Sequence, residues 1–159
     1  MNFNVKNEVL KVCDVEISYR PKVKPGDRPL LRSSLDIFML LMENQVFNPD
    51  TIEYKEYFKV LLLNRSNKVL GVLHLSEGSI DETVVDVRHI MQGAILANSS
   101  MIILCHNHPS GKINPSSGDD KVTVKVKKAC ELFGILLLDH LIVTPYSYYS
   151  YADEGRLTC

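Results

Sequence analysis

Residues 102–119 read Ile102-Ile103-Leu104-Cys105-His106-Asn107-His108-Pro109-Ser110-Gly111-Lys112-Ile113-Asn114-Pro115-Ser116-Ser117-Gly118-Asp119. Four apolar residues with no polar interruption predict a buried strand whose C-terminal end delivers His106. Chemistry collects at such strand ends. After the Pro/Gly/Ser-rich loop, Val122, Val126, Ala129, Cys130 and Phe133 recur at helical spacing, and Gly134 is placed to follow that helix as its C′ residue. Strand, loop and helix thus enclose one polar segment.

The same reading extends outward. Asp86 caps a helix marked by Val87, Ile90, Met91, Ala94 and Ile95 and ending near Asn98. Residues 57–63 and 69–75 are β-branched, aromatic or aliphatic and flank the polar turn 64–68, which predicts a β-hairpin. Ser33 and Ser34 precede the apolar face Leu35, Phe38, Met39, Leu41 and Met42 of a helix over about 34–44. Residues 135–143 form a further strand. Tyr146 to Tyr151 suit an edge strand whose tyrosines cover one face. Interleaved helices and strands with an early hairpin give an α/β (α+β) three-layer domain, a mixed sheet flanked by helices.

Composition narrows the function classes. With 159 residues and 45% apolar content, the chain can bury one substantial core without stapling. Eighteen basic residues almost balance nineteen acidic ones, so the molecule as a whole offers no strong field for a polyanion or an anionic membrane. The apolar runs fall far short of the roughly 20 residues of a membrane-spanning helix, and residues 1–6 do not read as a secretory signal. A cytoplasmic protein is expected. Cys13, Cys105, Cys130 and Cys159 are scattered without a CxxC pair, which predicts reduced structural thiols rather than a zinc ribbon or a disulfide scaffold. Residues 19–29, basic and broken by three prolines, read as an exposed loop or linker between a short N-terminal strand and the body.

Three residues in the central segment suit a metal. His106 and His108 can converge where the chain leaves the pleat, and Asp119 lies in the predicted first turn of the third helix, where a carboxylate is favoured. Two imidazoles and one carboxylate leave a fourth tetrahedral position open, the pattern of catalytic zinc. Ser116, three residues earlier, is placed both to cap the helix and to donate a hydrogen bond into the site.

The full string HxHx7SxxD, matched by His106, His108, Ser116 and Asp119, resembles the JAMM/MPN+ metalloproteases. The flanking residues 107–111, Pro115-Ser116 and the later Leu138-Asp139-His140 resemble the RadC-like proteins among them. The resemblance covers about residues 53–155 and implies a JAMM/MPN (cytidine-deaminase-like) architecture. It divides the chain into a catalytic domain over 51–159 and a packed extension over 1–50, made of strand, basic loop and helix. No helix-hairpin-helix segment of the kind that often precedes such domains is visible. The resemblance also implies one Zn2+ per chain and hydrolysis of a peptide or isopeptide bond by glutamate-assisted attack of zinc-bound water. Glu56, just before an apolar strand, is the chosen general base, with Glu77 and Glu53 the other candidates. Ser116 would help stabilise the oxyanion.

The expected partner is a protein or peptide substrate; nucleic acid is not favoured, and no membrane is expected. Two other readings remain at this stage, a DNA-repair-associated RadC-like accessory or DNA-binding module and a metal-dependent phosphodiesterase. Asp139-His140 can form a structural pair or hold a hydrogen bond that orients a ligand. His74 and His89 lack ligand spacing, and Lys121, Lys125, Lys127 and Lys128 read as the solvated face of the third helix.

Overall fold

The computed structural model of the protein describes residues 18–78 and 85–157. The first helix, α1 (Ser34–Glu43), opens on a reciprocal cap: the Ser33 hydroxyl accepts the Asp36 N–H, and the Asp36 carboxylate takes the Ser33 N–H. Strands β1 (Glu56–Leu63) and β2 (Val69–Gly78) form the expected hairpin. In its turn Asn64 Oδ1 accepts the N–H groups of Ser66 and Lys68, and Asn67 adopts a φ of 57°. Then follow α2 (Val87–Leu96), β3 (Met101–Asn107), α3 (Ser117–Leu132), β4 (Leu136–Val143) and β5 (Tyr148–Ser150). Gly134, just past the end of α3, has a φ of 64°, as its expected C′ role requires.

The sheet order is β2-β1-β3-β4-β5; β3 and β4 run parallel and the other neighbours antiparallel. Alternation along β1 and β3 splits the core in two. Leu61, Leu63, Ile103 and Cys105 join Ile37, Leu41 and Phe47 on the α1 side. Val60, Leu62, Ile102 and Leu104 join Ile90, Ala94, Val126 and Cys130 on the side of α2 and α3. The layers are therefore helix, mixed sheet, helix pair, as the fold class predicts.

One irregularity matters for the site. Ile102 pairs with Leu137 but Ile103 with Asp139, so Leu138 is an extra residue in β4. Leu137 packs on the α3 side and Leu141 on the α1 side, although four residues apart. The bulge thus inverts the alternation and turns His140 toward α3.

Several expectations need correcting. The second hairpin strand, expected over 69–75, runs on through Ser76, Glu77 and Gly78, because the ladder continues to the pair Glu56–Gly78. The tyrosines near the C-terminus do not share one face: Tyr148 stacks on Phe38, whereas Tyr151, in the turn just past β5, stacks on His140. The proline-broken stretch is exposed but lies along the start of β2, where the Tyr19 hydroxyl donates to Leu70 O and Leu30 bridges Lys68. The strand expected before it lies outside the described residues. On α3, Lys121, Lys125 and Lys128 are exposed, whereas Lys127 donates to Leu157 O at 2.6 Å and ties down the C-terminal segment.

Cys105 and Cys130 are free and buried; burial pushes the first thiol well above its ordinary value and the second to about 11, so both stay protonated near neutrality. Cys13 and Cys159 lie outside the described residues. Among the described residues, no helix is long and apolar enough to cross a membrane.

Leu61 is fully buried at the centre of the α1-side core. Leu61→Ala is expected to cost about 2–5 kcal/mol of stability, read as a lower urea midpoint at unchanged slope. An unchanged midpoint would contradict this packing.

Candidate metal centre

His106 and His108 stand at and just beyond the end of β3, and Asp119 is the third residue of α3. The Asp119 carboxylate takes the Ser116 N–H at 2.6 Å while the Ser116 hydroxyl accepts the Asp119 N–H at 3.2 Å, a capping box that holds the carboxylate at the helix start. Cap and site geometry are one device here. Because Ser116 Oγ acts as acceptor in the cap, its own proton remains for donation.

Ligand-capable atoms of His106, His108 and Asp119 lie within 4.8 Å of one another. His106 Nε2 is 2.9 Å from His108 Nε2 and 3.0 Å from Asp119 Oδ1, and His108 Nε2 is 3.5 Å from Asp119 Oδ2. Ligands bound about 2.0–2.1 Å from a tetrahedral zinc stand about 3.3 Å apart, so these separations bracket the spacing such an ion demands. The donor types fit as well. His108 Nδ1 sits 2.7 Å from Lys112 O, which can only accept; the proton is therefore on Nδ1 and the Nε2 lone pair faces the cluster.

Burial alone would raise the Asp119 carboxyl, but its hydrogen bonds with His106 and His108 outweigh burial and hold it well below the usual carboxylate range. His108 is raised, chiefly by its hydrogen bond to Asp119. Both shifts express one fact: the Asp119 carboxylate is pressed against the imidazoles, which favours its negative charge and a proton on His108. His106 is fully buried, with its ring stacked on Phe58 at 5.6 Å between centroids.

The three glutamates fall in different places. The β1–β3 ladder ends at the pair Phe58–His106; half-buried Glu56 stands two residues before Phe58, and His108 two residues after His106. The charge of Glu56 contributes to the raised His108 value, after Asp119, burial and Lys112. Glu77 pairs with Tyr57, which packs in the α1-side core, so its side chain belongs to the opposite face; it lies 3.8 Å from Lys55. Glu53 is exposed in the turn before β1. His74 and His89 are exposed and do not belong to this cluster.

Two contributors escaped the sequence reading. Asn107, fully buried between the two histidines, accepts the Tyr57 N–H on Oδ1 at 2.8 Å and donates from Nδ2 to Ile52 O and Lys55 O, both at 2.7 Å. It thereby fastens the segment carrying Glu56 to the end of β3. Thr123, on α3, is the other; its hydroxyl lies 2.7 Å from His140 Nδ1, and His140 Nε2 lies 2.8 Å from His106 Nδ1. Burial first, then the proximity of His106, holds His140 well below the ordinary histidine value. Asp139 does not face the His140 ring: it takes Ser150 Oγ–H and the N–H groups of Ala152 and His140.

The family described as RadC-like JAB domain matches residues 31–156. The chain belongs to the RadC-like JAB domain family. Among its relatives is a UPF0758 protein of Flavobacterium johnsoniae, 49% identical over 100 residues, which are 63% of this chain and 44% of that protein. Another, from Porphyromonas gingivalis, is 48% identical over 104 residues, 65% of this chain and 46% of the relative. A third, from Clostridium kluyveri, is 41% identical over 143 residues, 89% of this chain and 60% of the relative. The matched part of the chain thus spans about half the length of these relatives. The RadC-like JAB domain accounts for the sheet, α1, α2 and α3, and every residue of the cluster falls within the match.

Asn107→Leu would leave the Tyr57 N–H and two carbonyls unsatisfied, at about 1–3 kcal/mol each. A loss of roughly 3 kcal/mol or more in urea unfolding is expected, with faster hydrogen exchange at the Tyr57 amide. Unaltered stability and exchange would show that this anchor carries no weight.

Proposed function

We propose that this chain is a zinc-dependent hydrolase that cleaves a peptide or isopeptide bond, with His106, His108 and Asp119 as metal ligands. The observation that carries the reading is the spacing of 2.9, 3.0 and 3.5 Å among two imidazole nitrogens and a carboxylate at a helix start. No fourth His, Cys, Asp or Glu joins the group among the described residues, in keeping with a coordination position left to solvent or substrate. Bound zinc would supply a Lewis acid that makes water nucleophilic near neutral pH and polarises a carbonyl.

The remaining steps belong to the protein. Glu56, two residues before the Phe58–His106 pair and close enough for its charge to act on His108, takes the proton of the attacking water and returns it to the leaving amine. The Ser116 hydroxyl, whose oxygen is fixed by the Asp119 N–H, directs its proton toward the oxygen that gains negative charge. His106 and His108 orient the site without adding charge, and Asp119 supplies its one negative ligand. A protein or peptide substrate agrees with the balanced charge of the chain, which has no excess of basic residues to draw a polyanion.

Elemental analysis of protein purified without chelator or affinity metal is expected to find about one zinc per chain, the stoichiometry of a single catalytic site. That zinc should be lost in a His106→Ala/His108→Ala double variant that remains folded. Against a panel of peptide and isopeptide substrates, Glu56→Gln should keep its zinc and lose about 100- to 10,000-fold in turnover. Zinc-free protein after zinc has been supplied, or full turnover in Glu56→Gln, would overturn the respective part of the proposal.

A further inference from the structure

We propose that Thr123 and His140 form a buried positioning relay that fixes the tautomer and ring orientation of His106, so that its Nε2 lone pair is presented to the metal. The inference rests on the metal site proposed above, but its geometry stands apart from that site's occupancy.

The direction of each hydrogen bond follows from the one before it. Thr123 Oγ1 lies 2.6 Å from Asp119 O, and a carbonyl only accepts, so the single hydroxyl proton is committed there. The oxygen then offers a lone pair to His140 Nδ1 at 2.7 Å, which must carry a proton. The His140 ring is fully buried, both its nitrogens are engaged, and the neighbouring Asp139 carboxylate is turned away to Ser150, Ala152 and the His140 main chain. A neutral ring is what such a setting accommodates. His140 Nε2 is therefore an acceptor, and His106 Nδ1, 2.8 Å away, donates to it. One nitrogen of His106 remains, Nε2, and it faces His108 and Asp119.

Packing holds the rings in that order. Phe58 stacks on His106, and Tyr151 stacks on His140 with ring centroids 4.9 Å apart at 14° between planes. Tyr151 is itself fixed by donating to Asp120 Oδ1 at 2.9 Å, and Asp120 is held by Arg156. The extra residue Leu138 in β4 is what turns His140 to this face at all. The relay also closes on itself: it begins at the main-chain oxygen of Asp119, whose carboxylate belongs to the cluster, and ends at His106. Two ligands from α3 and β3 are thus held in one mutual geometry through buried bonds. A ligand histidine backed by a carboxylate becomes more basic; this one is backed by a neutral ring that ends on a carbonyl, so it is oriented with no added negative charge.

The test uses the full chain in three forms, native, Thr123→Ser and Thr123→Val, each first shown to have the native urea midpoint or amide spectrum. Ring 15N shifts in the metal-free protein report which nitrogen of His106 and of His140 bears the proton, a readout that ordinary packing loss would not move. The expected result is Nδ1–H on both rings in the native and Thr123→Ser proteins, and mixed tautomers in Thr123→Val. Zinc affinity by chelator competition should fall about 10- to 100-fold in Thr123→Val and be restored in Thr123→Ser. A proton on Nε2 of His106 in the native protein would overturn the relay. So would a folded Thr123→Val with native tautomers and native zinc affinity; if that variant does not fold, the native tautomers decide alone. Native tautomers as derived, in a protein that takes up no zinc, would uphold the relay and sink the metal reading instead.

Discussion

The pleat of β3 sends His106 and Asn107 to opposite faces of the sheet, and the site depends on that parity. His106 turns toward α3, where Asp119 and His140 meet it, while Asn107 turns toward the α1 side and grips the segment before β1. A one-residue slip of β3 against β1 would exchange these roles, burying a histidine where no ligand waits and freeing the anchor of Glu56. Apolar residues on both faces, Ile103 and Cys105 on one and Ile102 and Leu104 on the other, would tolerate such a slip, so the polar end of β3 sets the register, with Asn107 tied to Tyr57, Ile52 and Lys55.

Parity also sorts the glutamates. Glu56 and Glu77 stand near each other in the hairpin, since Glu56 pairs with Gly78 and Glu77 with Tyr57. Their side chains nevertheless serve different surfaces, because Glu56 shares the face of Phe58 and His106 whereas Glu77 shares that of Tyr57 and Lys59. Lys59, buried between the rings of Phe47 and Tyr57 and donating to Val46 O, lies on that second face; burial lowers its value and the charge of Glu77 opposes that shift.

What was legible in the sequence is what depends on short spacing. The serine at the start of α1, the hairpin turn, the glycine after α3 and the convergence of His106, His108 and Asp119 all arise from residues close along the chain. Ser116 could be read as a helix cap because a cap needs only its own first turn. Asn107, by contrast, bonds to residues about fifty positions away, and a lone asparagine between two histidines carries no local sign of that. The bulge at Leu138 was equally silent, since an uninterrupted apolar run hides where alternation inverts. The extension of β2 through Gly78 and the splitting of the tyrosines follow from pairing across strands, which no single segment encodes.

The ligand set has an electrostatic logic that joins these features. Two neutral imidazoles and one carboxylate would leave a divalent ion with net positive charge, as the proposed polarisation of a carbonyl requires. A further carboxylate against His106 would weaken that polarising power, and Asp139, next to His140 in sequence, is the obvious source of one. The fold spends Asp139 elsewhere: Ser150, Ala152 and the His140 main chain saturate it at the start of the C-terminal segment. Desolvation raises its carboxyl above the ordinary range, with those bonds opposing, so the group is expensive to ionise even there. The bulge at Leu138 thus does two things at once, turning an imidazole toward His106 and directing the adjacent carboxylate into a structural role. On the proposed reading, a neutral ring and Thr123 behind His106 orient it while Asp119 remains the one charged residue of the triad.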